Sequence, residues 1–180
     1  MSYCEYCESE KAKEVHVDYH NNWYGFPLED DNALFGRLIL EINQAGLSWE
    51  TILNKENNFI DAYSRYNITA IANYGDEDIE RLLNDAGIIR NKLKVNAAIY
   101  NAKQILELQK EFGSFKKWLD TNHPLSREEW TKLFKKTFKF TGGEIVNEFL
   151  MSTGYLFGAH VKTCPVFDEV KLEMPKWMEL

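Results

Sequence analysis

The 180-residue sequence has no apolar run that approaches the roughly 20 residues a membrane-spanning helix needs. Its opening stretch, MSYCEYCESEKAKE, is polar from the third residue onward, so we expect no secretory signal. With 44% hydrophobic and 27% charged residues, the composition also excludes a disordered or collagen-like chain. These absences predict a soluble, cytoplasmic protein that does not act at a membrane.

A basic excess is also absent. The chain carries 21 Lys and Arg against 28 Asp and Glu, a formal net charge of −7. That balance argues against a strong non-specific nucleic-acid binder, although a protein that meets DNA through a small local patch stays open. Cysteines are few and odd in number (Cys4, Cys7 and Cys164), which argues against a disulfide framework and favours metal ligation or free thiols.

No run of strict polar–apolar alternation is long enough to indicate a sheet, whereas helical periodicity recurs throughout the chain, so we predict an all-α fold. The first clear helix starts at Asp30 or Asp31 and ends near Gly46. Further helices are predicted over 48–66 with a break near 54–58, from Asp76 to a closing Gly87, up to Gly113, and after Ser114, Ser126 and Gly143. Periodicity is weak outside roughly 28–154.

Glu41 breaks the pattern of the first helix. It lies three residues after Leu38 and seven after Leu34, on the apolar stripe. A carboxylate there must be paired, protonated or exposed in a cavity, because burying it alone costs several kcal/mol. The alternative is that Glu41 lies at the edge of the stripe and reaches solvent.

Residues of the types that bind metals occur near both ends of the chain. The N-terminal group is Cys4, Cys7, His16 and His20, and a second group, His160 and Cys164, lies four residues apart near the other end. Zinc prefers a tetrahedron of thiolates and imidazoles, and one ion could fasten two segments that do not pack by themselves. Because no second Cys-x-x-Cys pair is present, free thiols remain the alternative.

A short turn, Asp85 to Lys92, connects two of the predicted helices. Turns of this kind can direct backbone N–H groups and a helix N-terminus at a phosphate, and the basic residues Arg90, Lys92 and Lys94 follow closely. An ordinary helical hairpin that packs through its isoleucines is the alternative interpretation.

Several of these features occur together in one known family. In chain order they are Tyr19-His20, Gly25-Phe26-Pro27, Glu41, the block QAGLSW (44–49), DAGIIR (85–90), Phe138-Lys139-Phe140 and the pair His160 and Cys164. The sequence resembles the DNA-3-methyladenine glycosylase I family over about residues 4–164. The resemblance implies a helix-hairpin-helix glycosylase domain over 1–164 and leaves 165–180 as an unassigned C-terminal tail.

The same resemblance implies roles for individual residues. A structural zinc would join the terminal segments through Cys4, His20, His160 and Cys164. Cys7 fits the family's spacing to the histidine better, but Cys4 matches its Cys-x-aromatic start through Tyr6 and is preferred. Glu41 would be the catalytic-site carboxylate, with Tyr19, Trp49 and Tyr24 as the base-binding rings. The DNA-binding residues of the turn would be Gly87, Ile89, Arg90 and Lys92.

The implied activity is monofunctional base excision: hydrolysis of the N-glycosidic bond of 3-methyladenine in alkylated double-stranded DNA, by a monomer. Two departures from the family pattern bear on the shape of the pocket and its lesion preference. Tyr24-Gly25 replaces the usual Trp-Gly, and Asn21 replaces the usual Asp. Asp120 is a candidate, by rough position only, for the catalytic aspartate of the wider superfamily. The alternative is a zinc-stabilised helical module that binds DNA or a protein partner without catalysis.

Overall fold

A computed structural model describes residues 1–179, and within that range the regular secondary structure is helical. The α-helices, numbered in chain order, are α1 Tyr3–Cys7, α2 Glu14–Asn22, α3 Asp31–Gln44, α4 Trp49–Leu53, α5 Glu56–Ala62, α6 Ile68–Ala72, α7 Asp76–Asn84, α8 Lys92–Phe112, α9 Phe115–Asn122, α10 Arg127–Thr137, α11 Gly143–Ser152 and α12 Pro165–Leu172. Short 3-10 turns cover Ser64–Tyr66 and Lys176–Met178. The predicted all-α class is confirmed.

The capping residues that predicted the helix boundaries act as expected. The Asp30 side chain accepts a hydrogen bond from the backbone N–H of Ala33 and starts α3. Ser126 and Glu129 form a reciprocal capping box at α10. The long helix α8 ends at Gly113, whose φ of 93° lies in the region that favours glycine.

Helix α3 lies at the centre of the fold. Every residue from Leu34 to Asn43 is buried, so α3 has no solvent-facing stripe. Helices α8 and α11 pack against it, and α8 contributes Val95, Ala98 and Ala102 to the same core. A side chain near the C-terminal end of α3 therefore points either into the core or into a cavity between helices.

A cluster of aromatic rings holds α11 against the rest of the fold. The rings of Phe115 and Phe149 stack with centroids 6.3 Å apart, and Phe134 lies 5.7 Å from Phe149. Trp118 and Phe138 complete the cluster, with centroids 5.6 Å apart. These contacts join α9, α10 and α11, so the face that α11 turns to α3 is held firmly.

Some elements differ from the sequence-based prediction. Helix α7 ends at Asn84, and Gly87 lies in the following turn instead of closing the helix. Helices α1, α2, α6 and α12 were not predicted. In α2 the buried residues are His16, Tyr19 and His20; Tyr19 faces the cavity and His20 the metal-type cluster described below, so no apolar period marks this helix.

The segment after Cys164 packs against the fold. Val166 and Val170 of α12 are buried beside Cys4 and Cys164. The backbone N–H of Trp177 donates a hydrogen bond of 3.1 Å to the backbone oxygen of Gly154. Among residues 1–179, no helix combines the length and the apolar character that crossing a membrane requires.

Candidate active site and metal centre

A cavity of about 490 Å³ opens between the N-terminal helices, the C-terminal end of α3 and the first two turns of α11. It is large enough for a purine base. Its walls carry four aromatic rings and three carboxyl groups: Tyr3, Tyr19, Tyr24, Trp49, Glu41, Glu144 and Glu148. The cavity therefore combines flat apolar surfaces with negative charge.

Three of the rings form one continuous wall. Tyr19 and Trp49 meet edge to face with centroids 5.0 Å apart, and Tyr19 lies 5.5 Å from Tyr24. Ser48 caps α4 at Trp49, which fixes the position of the indole. Burial raises the pKa of the Tyr19 and Tyr24 phenols, so both rings are neutral near neutral pH.

Glu41 lies at the floor of this cavity and is only 4% exposed. The alternative in which Glu41 reaches bulk solvent does not hold. Burial first, and the nearby Glu148 carboxylate second, raise the pKa of Glu41 to about 8, while Arg37 acts in the opposite direction. The Arg37 guanidinium lies 5.5 Å from the centre of the Tyr19 ring, behind the aromatic wall. The Glu41 carboxyl group is therefore protonated near neutral pH. A positively charged ligand in the cavity would favour its ionised form.

Glu148 of α11 is a second carboxyl group in the cavity that sequence reasoning missed. The Tyr24 hydroxyl donates a hydrogen bond of 3.1 Å to its Oε2. Burial is the main cause that raises the pKa of Glu148, and the bond from Tyr24 opposes it. The sequence carries only a weak signal for it, since Glu148 lies three residues after Ile145 but beside the polar Asn147 in a short helix.

Next to the aromatic wall, four buried side chains bring their metal-type donor atoms together. Atoms of Cys4, His20, His160 and Cys164 all lie within 4.8 Å of one another. The Cys164 Sγ lies 3.6 Å from Nε2 of His20, and 3.7 Å from Nδ1 of His160. Ligands around a tetrahedral zinc ion have a sulfur–nitrogen separation of about 3.5 Å, so the donor set fits such an ion.

Each histidine of the cluster is oriented by its second ring nitrogen. Nε2 of His160 lies 2.6 Å from the backbone oxygen of Tyr24, and Nδ1 of His20 lies 2.7 Å from Oδ1 of Asn21. Because these oxygens only accept hydrogen bonds, each of those nitrogens carries the proton and the other nitrogen is free to bind a metal. Asn21 thus fixes the orientation of the His20 ring.

Close packing between the two terminal segments depends on Gly25. Its φ is 88°, and a Cβ atom there would lie 2.9 Å from Cβ of Ala159 and 3.3 Å from the His160 ring. A side chain at this position would push the metal-type cluster away from the pocket wall.

Cys7 and His16 take no part in the cluster. The Cys7 thiol donates to the backbone oxygen of His16 at 3.7 Å, and Nδ1 of His16 lies 3.0 Å from the Tyr3 hydroxyl. The geometry therefore selects Cys4 over Cys7 as the N-terminal donor.

The turn between α7 and α8 is held rigidly by short hydrogen bonds. The Gly87 N–H donates to Oδ1 of Asp85 at 2.7 Å, and Asn58 donates to the Gly87 oxygen at 3.1 Å. Among the described residues, no acceptor pairs with the backbone N–H groups of Ile89 and Arg90. Arg90 and Lys92 are exposed beside them.

Lys94 follows Arg90 and Lys92 in the sequence, but it is buried whereas they are exposed. It is 4% exposed, and its ammonium group donates to the backbone oxygens of Asn43 and Ala45 at 2.8 Å each. The buried cation thus satisfies the end of α3, the helix that carries Glu41, and ties it to the start of α8.

Asp120 does not line the cavity. It accepts a hydrogen bond from the Tyr155 hydroxyl at 2.7 Å and from Lys116 at 2.9 Å. These bonds, together with the positive charge of Lys116, lower the pKa of Asp120 despite its partial burial. The positional argument for Asp120 as a catalytic residue has no support in the site.

An all-helical fold with a helical hairpin next to an aromatic pocket that contains a buried carboxyl group is the arrangement of the helix-hairpin-helix DNA glycosylases. The sequence profile of one family, described as Methyladenine glycosylase, matches residues 8–124. The chain belongs to this methyladenine glycosylase family.

Individual relatives agree with the family match. The chain is 33% identical over 169 residues to DNA-3-methyladenine glycosylase 1 of Escherichia coli (strain K12), covering 83% of this chain and 90% of the relative. It is 32% identical over 171 residues to DNA-3-methyladenine glycosylase of Haemophilus influenzae, covering 84% and 91%. A solved structure of 3-methyladenine DNA glycosylase I from Staphylococcus aureus, described as the structural basis of 3-methyladenine recognition, superposes with a TM-score of 0.82 at 30% identity, over 92% of this chain and 97% of that one.

Proposed function

We propose that this protein is a monofunctional DNA glycosylase that hydrolyses the N-glycosidic bond of 3-methyladenine in alkylated double-stranded DNA. The observation that carries the proposal is the position of Glu41, a buried carboxyl group at the floor of a base-sized aromatic cavity. The relatives named above support the choice of lesion.

The aromatic wall suits an extruded cationic base. Enzymes that act on a base take it out of the stack, and a damaged base costs less to extrude than a sound one. Methylation at N3 makes adenine cationic, so the base would stack on Tyr19 and Trp49 with a cation–π contribution.

Glu41 is proposed to accept hydrogen bonds from the amino edge of the base and to stabilise its positive charge. A cation beside it favours loss of its proton. The cationic purine is also a good leaving group through an oxocarbenium-like transition state, so little acid–base help is needed. Within the described part of the chain, the cavity lining contains no lysine, which supports an abasic product with an intact strand.

The turn between α7 and α8 is proposed to hold the DNA backbone. Ile89 and Arg90 would approach a phosphate through their backbone N–H groups, with Gly87 allowing close approach and with Arg90 and Lys92 as the cations nearby. Asn58 links this turn to α5, which follows the α4 helix of Trp49, so the DNA contact would lie beside the pocket.

Zinc is proposed as the ion of the Cys4, His20, His160 and Cys164 cluster. Burial raises the pKa of the Cys164 thiol to about 11, so a buried thiolate needs a compensating cation. When bound, zinc would supply structural cross-linking between the two terminal segments, with no part in the reaction.

Incubation of the purified protein with alkylated DNA, followed by chromatography of the released bases, tests the proposed activity. We expect free 3-methyladenine from the wild type and almost none from Glu41→Gln. Co-release of 7-methylguanine would indicate a broader lesion range. No release from folded, metal-loaded protein would contradict the proposal and favour a binding module without catalysis.

A further inference from the structure

The base cavity contains a second carboxyl group, and the proposed chemistry assigns it no task. Glu148 reaches the cavity from α11, while Glu41 comes from α3. Because α11 packs against α3 and is braced by the aromatic cluster, the relative position of the two carboxyl groups is fixed by the core.

The hydrogen bonds of Glu148 leave part of its carboxylate open. Tyr24 donates to Oε2 at 3.1 Å, which holds the side chain against the aromatic wall. In the described part of the chain, no hydrogen bond to Oε1 of Glu148 is present. That oxygen is therefore available to a ligand in the cavity.

The nearby arginine side chains do not form an ion pair with the Glu148 carboxylate. Against the effect of burial, the positive charge of Arg127 lowers the pKa of Glu148, but the guanidinium forms its ion pair with Glu144. The Arg37 guanidinium lies behind Tyr19 and donates to the backbone oxygen of Ser152. Of the three carboxyl groups in the lining, Glu144 is therefore the one paired with a cation, and Glu41 and Glu148 face a cavity whose lining, among the described residues, includes no cation.

We propose that Glu148 is a specificity-determining residue, a second carboxylate that acts with Glu41 to make the pocket select a positively charged base over a neutral base of the same shape. This inference rests on the proposed function for the identity of the ligand. It goes beyond that function because it assigns the recognition of charge to two residues on different helices. Tyr24 then has two tasks, since its ring forms part of the wall and its hydroxyl positions Glu148.

Binding of two matched free bases tests the inference. The neutral probe is 9-methyladenine and the charged probe is the 3,9-dimethyladeninium cation, which differ by one methyl group and one charge. Affinities are measured by calorimetry at about pH 9, above the pKa of about 8 of Glu41, so that this carboxyl group is ionised before binding. For Glu148→Gln we expect affinity for the cation to fall about tenfold and affinity for 9-methyladenine to change by less than about twofold.

Two further variants separate charge recognition from packing. Glu107→Gln removes one exposed carboxylate outside the cavity lining and should leave both affinities unchanged. Tyr24→Phe removes the hydroxyl that positions Glu148 but keeps the carboxylate, so the preference for the cation should fall less than in Glu148→Gln. Thermal unfolding of each variant checks that it is folded.

The other outcomes overturn the inference. An equal loss of both affinities in Glu148→Gln would mean a packing role, and unchanged affinities would mean no role. A Tyr24→Phe variant that loses the preference for the cation as completely as Glu148→Gln would assign the selection to Tyr24. Excision from alkylated DNA is measured separately. A wild type that binds the cation selectively but releases no base would contradict the proposed function and leave the role of Glu148 intact. A wild type that binds neither probe overturns the inference, and it contradicts the proposed function as well only if it also releases no base.

Discussion

Nε2 of His160 lies 2.6 Å from the backbone oxygen of Tyr24, so one hydrogen bond joins a candidate metal ligand to the wall of the base cavity. On α2, Tyr19 and His20 are adjacent, one facing the cavity and the other the cluster. The metal-type cluster therefore positions pocket side chains as well as fastening the terminal segments.

Loss of the metal is expected to weaken base binding together with stability. We predict stoichiometric zinc in the purified protein, and its loss in a His160→Ala, Cys164→Ser double variant. That variant should melt at least about 10 °C lower, because the buried cluster loses its ion. Metal analysis, thermal unfolding and binding of 3,9-dimethyladeninium measure the three effects.

Cys7→Ser is the matched control for the metal prediction, because Cys7 is a buried thiol outside the cluster. It should retain the zinc and the base affinity. Wild-type protein that is free of zinc yet fully folded would contradict the structural role of the ion.

Replacement of Glu41 by glutamine should reduce the rate of 3-methyladenine excision by about 100-fold. The amide keeps the shape of the side chain but cannot carry the charge that stabilises the cationic base and the oxocarbenium-like transition state. Single-turnover kinetics on alkylated DNA measure the rate, and an unchanged rate would exclude this role for Glu41.

The same substitution should stabilise the folded protein near and above neutral pH. The pKa of Glu41 is about 8 in the folded state and near 4.5 in the unfolded state, so only the unfolded state ionises between these values. Stability contributed by this group therefore falls as pH rises from about 4.5 to 8, by up to about 3 kcal/mol at about pH 7. Urea unfolding across this range should show a smaller decline for Glu41→Gln than for the wild type.

Affinity for a cationic base should depend on pH with the opposite sign. Below about pH 8 Glu41 must release its proton before it can pair with the ligand, which costs free energy. Affinity for 3,9-dimethyladeninium is thus expected to rise with pH and to level off above about pH 8. In Glu41→Gln this rise should disappear, and calorimetry in buffers of different ionisation enthalpy would detect the proton released by the wild type.

Lys92 and Lys94 form a matched pair with contrasting predictions. Lys94→Met leaves the backbone oxygens of Asn43 and Ala45 without their buried donor and should cost about 2 kcal/mol of stability. Lys92→Met should leave stability unchanged but reduce the salt dependence of DNA binding by about one unit of slope. A Lys94→Met protein as stable as the wild type would show that the end of α3 needs no such cap.

The periodicity of the sequence predicted the long helices and identified Glu41 as a carboxylate on an apolar stripe. Helix α3 is long and strongly periodic, so a carboxylate on its apolar stripe stands out. Glu148 escaped notice because its significance arises only when α11 meets α3 across the cavity. Its own helix is short and lacks a long stripe against which an exception can be recognised.

The terminal segments were the hardest to predict for a different reason. Several buried side chains of helices α1 and α2 contact the cavity or the metal-type cluster and do not form a periodic core. These are Cys4, Tyr19 and His20. The resemblance to a known family, and not periodicity, identified the donor set. The choice between Cys4 and Cys7 needed the three-dimensional arrangement, since both spacings suit a metal.

The contact between Cys4 and His160 joins residues 156 positions apart in the chain. During translation the early segment leaves the ribosome long before its partners exist. Contacts between residues so far apart in the sequence form late in folding. The cavity wall that contains Tyr19 and Tyr24 is therefore held in place only after His160 and Cys164 have been synthesised. We therefore expect a chain that is still being synthesised to be inactive, and the enzyme to become competent when its final helices have been added.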